Sequence, residues 1–278
     1  MSVRDILLQA NSHPEPTPDW ALDRVAELAG LLGAKVSLGI CQVHIPPLSN
    51  WLANSLLNVD DMIAGENKKS VGNADMLLDS FSARVPAEHR GEAFVINCPG
   101  MVTHWQLGVR ARTRDLSVVP IYGHGESVAM AEGLAFETGR PVLLLPEATA
   151  PGLALKRIAI AWDGSRVAAR ALADAMPLAR IAQAVSIVRI TGEKDLTQAA
   201  TAEDAVRNLK AHGIEAEAVD VALEGRDAAA TLQSYCERDG RDLLVMGAFG
   251  HSRAREFILG GVTRSILNAP RLPVFISH

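Results

Sequence analysis

Four glycines, Gly247, Gly250, Gly260 and Gly261, are spaced so that main-chain amides could approach an anion. The ring of His251, the hydroxyls of Ser252 and Thr263 and the guanidinium of Arg253 stand among them. The apolar run Leu243–Met246 precedes this stretch and reads as a strand. Val262–Asn268 follows it and reads as a helix. Gly247 and Gly250 permit a sharp turn and a close backbone approach. The loop thus joins the carboxyl end of a strand to the amino terminus of a helix, where unpaired N–H groups and a partial positive charge suit a phosphate. No Gly-Lys-Ser/Thr follows, so this is not a Walker A loop. No GxGxxG follows the first strand of this half, so a dinucleotide fingerprint is absent. A solvated loop is the competing account of His251 and Arg253, and Arg255 and Glu256 read as surface residues.

Nothing else in the chain composes a reaction centre. There is no HExxH, no GxSxG, and no carboxylate pair at a strand end beside a nucleophile. The expectation is therefore no catalytic residue, no metal ligand set, and at most slow hydrolysis of a bound nucleotide. Cys236 falls inside an expected helix, Asp227–Asp239, and reads as core. Cys41, Cys98 and Cys236 are widely spaced with no CxxC, which argues against a disulfide framework or a zinc site and for reduced thiols in a cytoplasmic protein. Met1–Asp5 leads directly into a strand-like run, so no signal peptide is expected, and no apolar run is long enough to span a membrane. A net charge of −5 argues against a nucleic-acid surface.

The elements that must position the loop recur twice. Arg4-Asp5-Ile6-Leu7-Leu8-Gln9-Ala10 matches Lys156-Arg157-Ile158-Ala159-Ile160-Ala161-Trp162-Asp163 as charged start and apolar strand. Helices are expected at Thr17–Leu32, with Pro18 in the first turn and Gly33 as the stop, and at Ser165–Ala182, with Ser165 as N-cap. Second strands follow at Lys35–Val43 and Ala184–Ile190. Asp115–Pro120 parallels Asp242–Gly247, and each half closes on a strand, Pro141–Leu145 and Pro273–Ser277. The alternation of strand and helix argues for parallel sheets with right-handed crossovers. A chain of 278 residues suits two such domains of roughly 140 residues each. One large doubly wound sheet is the alternative. Glu147–Leu155 reads as the linker. The first half carries a surplus around Ile45–Glu66, where Pro46-Pro47 and Asn58–Asp61 break the pattern. There Trp51, Leu52, Leu56 and Leu57 read as a satellite apolar cluster in a surface insertion.

The segment from Met246 through Gly247, Gly250 and Gly260 resembles the signature of the universal stress protein family, Gly-x2-Gly-x9-Gly-Ser/Thr after a strand ending Met-Gly. Trp162-Asp163-Gly164-Ser165 is similar to the family's Val-Asp-Gly-Ser. Leu272-Pro273-Val274-Phe275-Ile276 is similar to its Cys-Pro-Val-Leu-Val. The resemblance implies two tandem flavodoxin-like α/β domains, residues 1–147 and 155–278. Each would be an open, mostly parallel five-stranded sheet in the order 3-2-1-4-5, with helices on both faces. It also implies a site for ATP or another adenine nucleotide, with or without Mg²⁺, in the second domain. Asp163 would sit by the nucleoside, and Ala161 and Ile190 would border the adenine. Gly247, Gly250, His251, Ser252 and Arg253 would flank the phosphates on one side, and Gly260, Gly261, Val262 and Thr263 on the other, with Met246 also among the nucleotide-binding residues. Gly261 stands where the family prefers Ser or Thr, a loss of one hydroxyl worth about 1 kcal/mol. Phe249 stands where a polar residue is common.

Family members pair through the last strand, which implies an intrachain pseudo-dimer and allows a homodimer of chains. The implied role is a cytoplasmic stress-response regulator or sensor that a protein partner reads. A structural module without nucleotide is the alternative. The first half departs from the signature. Its first strand ends Gln9-Ala10-Asn11 without the Asp, and Gly123, His124 and Gly125 lack the spacing. Glu126 and Glu132 would repel a phosphate. It is expected to be a degenerate copy without nucleotide. A different small-ligand site using His13, His104 and His124 is its alternative role.

Overall fold

Residues 5–11 form strand β1 (Asp5–Asn11), whose apolar Ile6-Leu7-Leu8 run suits a strand covered on both faces, and six of its seven residues are buried. The computed structural model describes residues 2–47, 58–123, 126–147, 152–192, 200–223, 227–248 and 261–278. These fall into two compact units, Arg4–Leu134 and Ala135–His278, the second also taking in the first three residues.

In the N-terminal unit β1 is followed by α1 (Asp19–Leu32), β2 (Lys35–His44), α2 (Val59–Arg84), a 3-10 turn at Ala87–His89, β3 (Arg90–Pro99), α3 (His104–Ala111), β4 (Leu116–Ile121) and the start of α4 (Glu126–Glu137). The strands lie side by side in the order β3-β2-β1-β4, every pair parallel. Helix α1 begins at Asp19, and Pro18 is its N-cap rather than part of its first turn. Thr17 is held back at the strand end, where its N–H donates to the Asn11 carbonyl and its Oγ1 accepts the Asn11 N–H. Gly33 ends the helix in the left-handed region, φ 60°, as a glycine stop should. Helix α2 was not expected. Its 26 residues bury only Ser70, Ala74, Leu77 and Phe81, one narrow stripe at helical spacing. Trp51, Leu52, Leu56 and Leu57 lie outside the described residues.

The C-terminal unit runs β5 (Val142–Pro146), β6 (Arg157–Ala161), α5 (Arg166–Ala179), β7 (Ala184–Thr191), α6 (Ala202–Ala211), β8 (Glu217–Ala222), α7 (Ala228–Arg238), β9 (Leu243–Gly247), α8 (Gly261–Asn268) and β10 (Val274–Ser277). The strand order is β5-β10-β9-β6-β7-β8. All pairs are parallel except β5 with β10, where Val274 faces Leu144 and Ile276 faces Val142 in an antiparallel ladder. Within the second repeat the order is therefore 3-2-1-4-5, and the four strands of the N-terminal unit repeat its first four members. Strands β6, β7 and β8 step one way and β9 and β10 return on the other side. Right-handed crossovers then put α5 and α6 on one face and α7 and α8 on the other. Helix α5 packs on β9 and β10, and α7 packs on α8. Ile158, Ile160, Leu243, Leu244, Val245, Val274 and Phe275 are wholly buried between these layers. Each such aliphatic side chain contributes roughly 1.5–3 kcal/mol.

One polar device marks the duplication. The Asp115 carboxylate accepts the N–H groups of Arg4 (2.8 Å) and Asp5 (3.1 Å). The Asp242 carboxylate accepts those of Lys156 (2.8 Å) and Arg157 (3.0 Å). In each unit the residue before the fourth strand therefore anchors the start of the first. Counted from these anchors, Gln9, Asn11 and Cys41 stand where the second repeat has Ala161, Asp163 and Ile190.

Candidate functional site

The carboxyl ends of β6 and β9 adjoin where the strand order reverses, the position at which open α/β sheets bind ligands. Ala161 ends β6 and is half-buried. Trp162 carries the chain onward. Its N–H bonds the Val188 carbonyl, and its indole N–H reaches the Ala200 carbonyl at 2.8 Å. Asp163 follows, half-buried, and its Oδ1 accepts the Ser165 N–H at 3.0 Å. Among the described residues no hydrogen bond takes up Oδ2. Ser165 caps α5 by accepting the Ala168 N–H at 3.2 Å, a contribution of about 1 kcal/mol. The Asp-Gly-Ser turn thus fixes the start of the helix with one carboxylate oxygen and leaves the other. Helix α5 ends at Ala179, short of the expected Ala182, with Pro177 in its last turn lacking one donor.

On β7, Ile190 is half-buried and lies opposite Val221 of β8. On β9, Met246 is buried opposite Ile276, and Gly247 lies opposite Ser277. Gly247 meets a packing demand that spacing alone did not suggest. A Cβ there would lie 2.5 Å from the Val167 carbonyl carbon and 2.7 Å from the Ala168 nitrogen, so the start of α5 can sit against β9 only where there is no side chain. The Ala248 N–H is taken by the Ser277 carbonyl at 2.8 Å. Gly250, His251, Ser252, Arg253 and Gly260 lie outside the described residues. Gly261 opens α8, exposed and with no atom within 4 Å of a hypothetical Cβ. Val262 is half-buried, and Thr263 is buried within α8 at 5% exposure.

The corresponding positions of the N-terminal unit are filled by its own polar groups. The Gln9 amide donates to Asn11 Oδ1 at 2.6 Å. Thr17 Oγ1 bonds Tyr122 Oη at 2.9 Å, and burial pushes the phenol up to about 12. Ser12 and Ser70 hydroxyls meet at 2.7 Å, and the Asn73 amide donates to the Ser12 carbonyl. Of the histidines, His13 bonds Glu66 at 3.0 Å. His104 starts α3 with its ring where a side chain on Gly133 would otherwise stand. His124 lies outside the described residues.

Among the described residues no cluster of three or more His, Cys, Asp or Glu could hold a metal ion, and no helix is long and apolar enough to cross a membrane. A pocket of about 250 Å³ lies between β8 and α7, lined by Asp220, Thr231, Ser234, Tyr235 and Arg238 among others. It contains none of the expected site residues, and its Asp220 is already gripped by Arg189 at 2.8 and 2.5 Å.

The family model described as "Universal stress protein family" matches residues 154–278. Residues 154–278 are similar to that family, a match that covers less than half of the chain. Its fold extends to solved proteins of similar length. A universal stress protein of Archaeoglobus fulgidus DSM 4304 is 16% identical over 98% of this chain and 97% of its own, with a TM-score of 0.68. A functionally unknown protein of Pseudomonas aeruginosa PAO1 is 14% identical over 99% and 92%, with a TM-score of 0.55. A shorter universal stress protein, solved in complex with cAMP, is 20% identical over 44% of this chain and 97% of its own, with a TM-score of 0.33. No curated protein matches the chain by sequence. The segment that matches the family supplies the crevice between β6 and β9, and the two long solved proteins share the fold.

Proposed function

We propose that the C-terminal unit binds an adenine nucleotide, ATP in the first instance, and that its occupancy is a stress signal read by a protein partner. The observation that carries this reading is the juxtaposition at the reversal of strand order. Asp163 is half-buried there with one carboxylate oxygen uncommitted among the described residues, and β9 closes on a glycine that tolerates no side chain. Asp163 would hold the ribose hydroxyls as an acceptor, with Ala161 and Ile190 against the base. The loop after Gly247 and the amide-rich start of α8 at Gly261, Val262 and Thr263 would face the phosphates. The nucleotide brings a flat apolar base and a polyanion, and those two demands match these two sides. Mg²⁺ would reach the chain through the phosphates.

The filled crevice of the N-terminal unit supports its assignment as a partner domain without nucleotide, over residues 1–147. The antiparallel β5–β10 ladder supports intrachain pairing of the two repeats' last strands. We assign the protein to the cytoplasm and allow a homodimer of chains. The test is to denature freshly purified full-length protein and identify the small molecules released, then to titrate nucleotide-free protein with ATP, ADP and AMP by calorimetry, with and without Mg²⁺. Release of an adenine nucleotide, lost in Gly250→Val, is the expected result. Unchanged release from that variant would move the ligand elsewhere, and no binding of any adenine nucleotide would end the proposal. Phosphate release abolished in Asp163→Asn would make the protein an ATPase instead.

A further inference from the structure

Two of the three cysteines meet on one face of the N-terminal sheet. Strands β2 and β3 pair in parallel with Cys41 opposite Ile96 and Val43 opposite Cys98. Residues two apart on a strand point the same way, so both thiols emerge on the same side from neighbouring strands. They are 0% and 1% exposed, and each thiol shifts the other's titration. Their surroundings differ. Cys98 lies at the carboxyl end of β3, the outermost strand of its unit, and the next residues, Pro99, Gly100 and Met101, are exposed. Thr103, the N-cap of α3, lies just beyond, and its backbone N–H favours the thiolate form of Cys98. Cys41 lies inside β2 and has its neighbour's sulfur as partner. Protonated, Cys98 can donate only weakly, to the Ile96 carbonyl at 3.7 Å. Deprotonated, it is in the form that Cys41 and the Thr103 N–H favour.

The Cys41 thiol and the Thr103 N–H hold the Cys98 thiol down to about 7, against the opposing pull of burial. The Cys98 thiol and burial push Cys41 well up. Burial alone does the reverse of what is seen at Cys98: Cys236, without such a partner, is pushed up to about 12 by it. A core cysteine needs neither a thiol neighbour nor a helix amino terminus. A nucleophilic cysteine is helped by donors that stabilise its thiolate, and a neighbouring thiol can resolve its sulfenic acid.

We propose that Cys98 and Cys41 form a peroxide-reactive dithiol, with Cys98 the attacking sulfur and Cys41 the resolving one. The Cys98 thiolate attacks one oxygen of a hydroperoxide. The O–O bond breaks, a sulfenic acid forms on Cys98, and hydroxide, or alkoxide from an organic peroxide, leaves. The Cys41 sulfur then attacks the sulfenyl sulfur. The S–O bond breaks and the S–S bond forms, and the departing hydroxide takes the Cys41 proton as water. Two thiols lose two electrons and the peroxide gains them. The near-zero exposure of both sulfurs selects a small uncharged oxidant over a bulky disulfide. Cys98 is at the end of the outermost strand, so closing onto Cys41 draws on the edge of the sheet rather than its centre. This site is independent of the nucleotide reading.

The test uses the reduced full-length protein treated with hydrogen peroxide, quenched with N-ethylmaleimide, digested without reductant and mapped by mass spectrometry. The expected product is a peptide pair joined through Cys41 and Cys98, with Cys236 still alkylated, and Cys98 oxidised at least ~10-fold faster than Cys236. With dimedone present, Cys41→Ser traps a sulfenic acid on Cys98, and Cys98→Ser loses the fast phase. Equal oxidation of Cys98 and Cys236, a dimedone adduct on Cys41, or a disulfide between chains would overturn the proposal. The wild-type map decides by itself if a serine variant fails to fold.

Discussion

Replacing Gly247 by alanine tests what the glycine at the end of β9 is for. The new Cβ would stand 2.5 Å from the Val167 carbonyl carbon and 2.7 Å from both the Val167 oxygen and the Ala168 nitrogen. These are main-chain atoms of the first turn of α5, so no side-chain rotation relieves the overlap. The helix must shift, although Val167, Ala168, Ala171 and Ala175 bury it against the sheet. Overpacking of this kind costs about 3 kcal/mol at the upper end of its usual range. For a unit of this size that is a fall of roughly 6–12 °C in Tm, read by calorimetry on nucleotide-free protein. Gly261→Ala is the internal control. It meets nothing within 4 Å and starts a helix, where alanine outperforms glycine by up to about 1 kcal/mol, so its Tm should hold or rise slightly. A Gly247→Ala protein melting within ~1 °C of wild type would refute the packing argument and leave close approach of a ligand as the reason for the glycine.

Other expectations follow from the same geometry. Asp242→Ala removes the acceptor for the Lys156 and Arg157 amides at the start of β6 and should lower the stability of the C-terminal unit by roughly 2 kcal/mol, with Asp115→Ala doing the same to the N-terminal unit; denaturant melts of each variant check both. Thr201→Ala breaks the capping box of α6 and should cost about 1 kcal/mol, visible as faster amide exchange in that helix. Asp204 of the same box is held below its ordinary value first by the Thr201 backbone N–H and then by its hydroxyl. Its contribution is therefore present above the unfolded carboxyl value and lost as pH falls through the lower folded one. Protection of the α6 amides, taken as exchange relative to an unstructured chain at the same pH, should fall on acidification in wild type and change less in Asp204→Asn. Asp163→Asn should weaken nucleotide retention while leaving Tm near that of wild type, since an amide oxygen can still accept the Ser165 N–H.

Local chemistry was legible in the sequence, and long-range pairing was not. Ser165 could be assigned as a cap because the capping bond reaches only three residues, to Ala168. The duplicated strands were readable because each is a short buried run with a charged start, and Asp115 and Asp242 stood out as paired landmarks. Helix α2 escaped notice because a single buried stripe over a mostly polar exterior leaves little periodic contrast. The role of Gly247 depends on how close α5 comes to β9, which no spacing encodes. The meeting of Cys41 and Cys98 arises only from the β2–β3 register; read along the chain they are two isolated thiols. The polar filling of the N-terminal crevice is likewise a product of folding, since Thr17 and Tyr122 meet across most of that unit's sequence.

The ladder between β5 and β10 bears on where the chain can be divided. The segment that matches the family begins at residue 154, yet the strand flanking β10 on its free side lies before it, at Val142–Pro146. A fragment trimmed to the matched segment would leave Val274, Phe275 and Ile276, all fully buried in the intact protein, with one row of amides and carbonyls unclaimed. An apolar border of that kind recruits another copy of itself. The isolated fragment should therefore self-associate in solution, and a fragment begun upstream of Val142 should not.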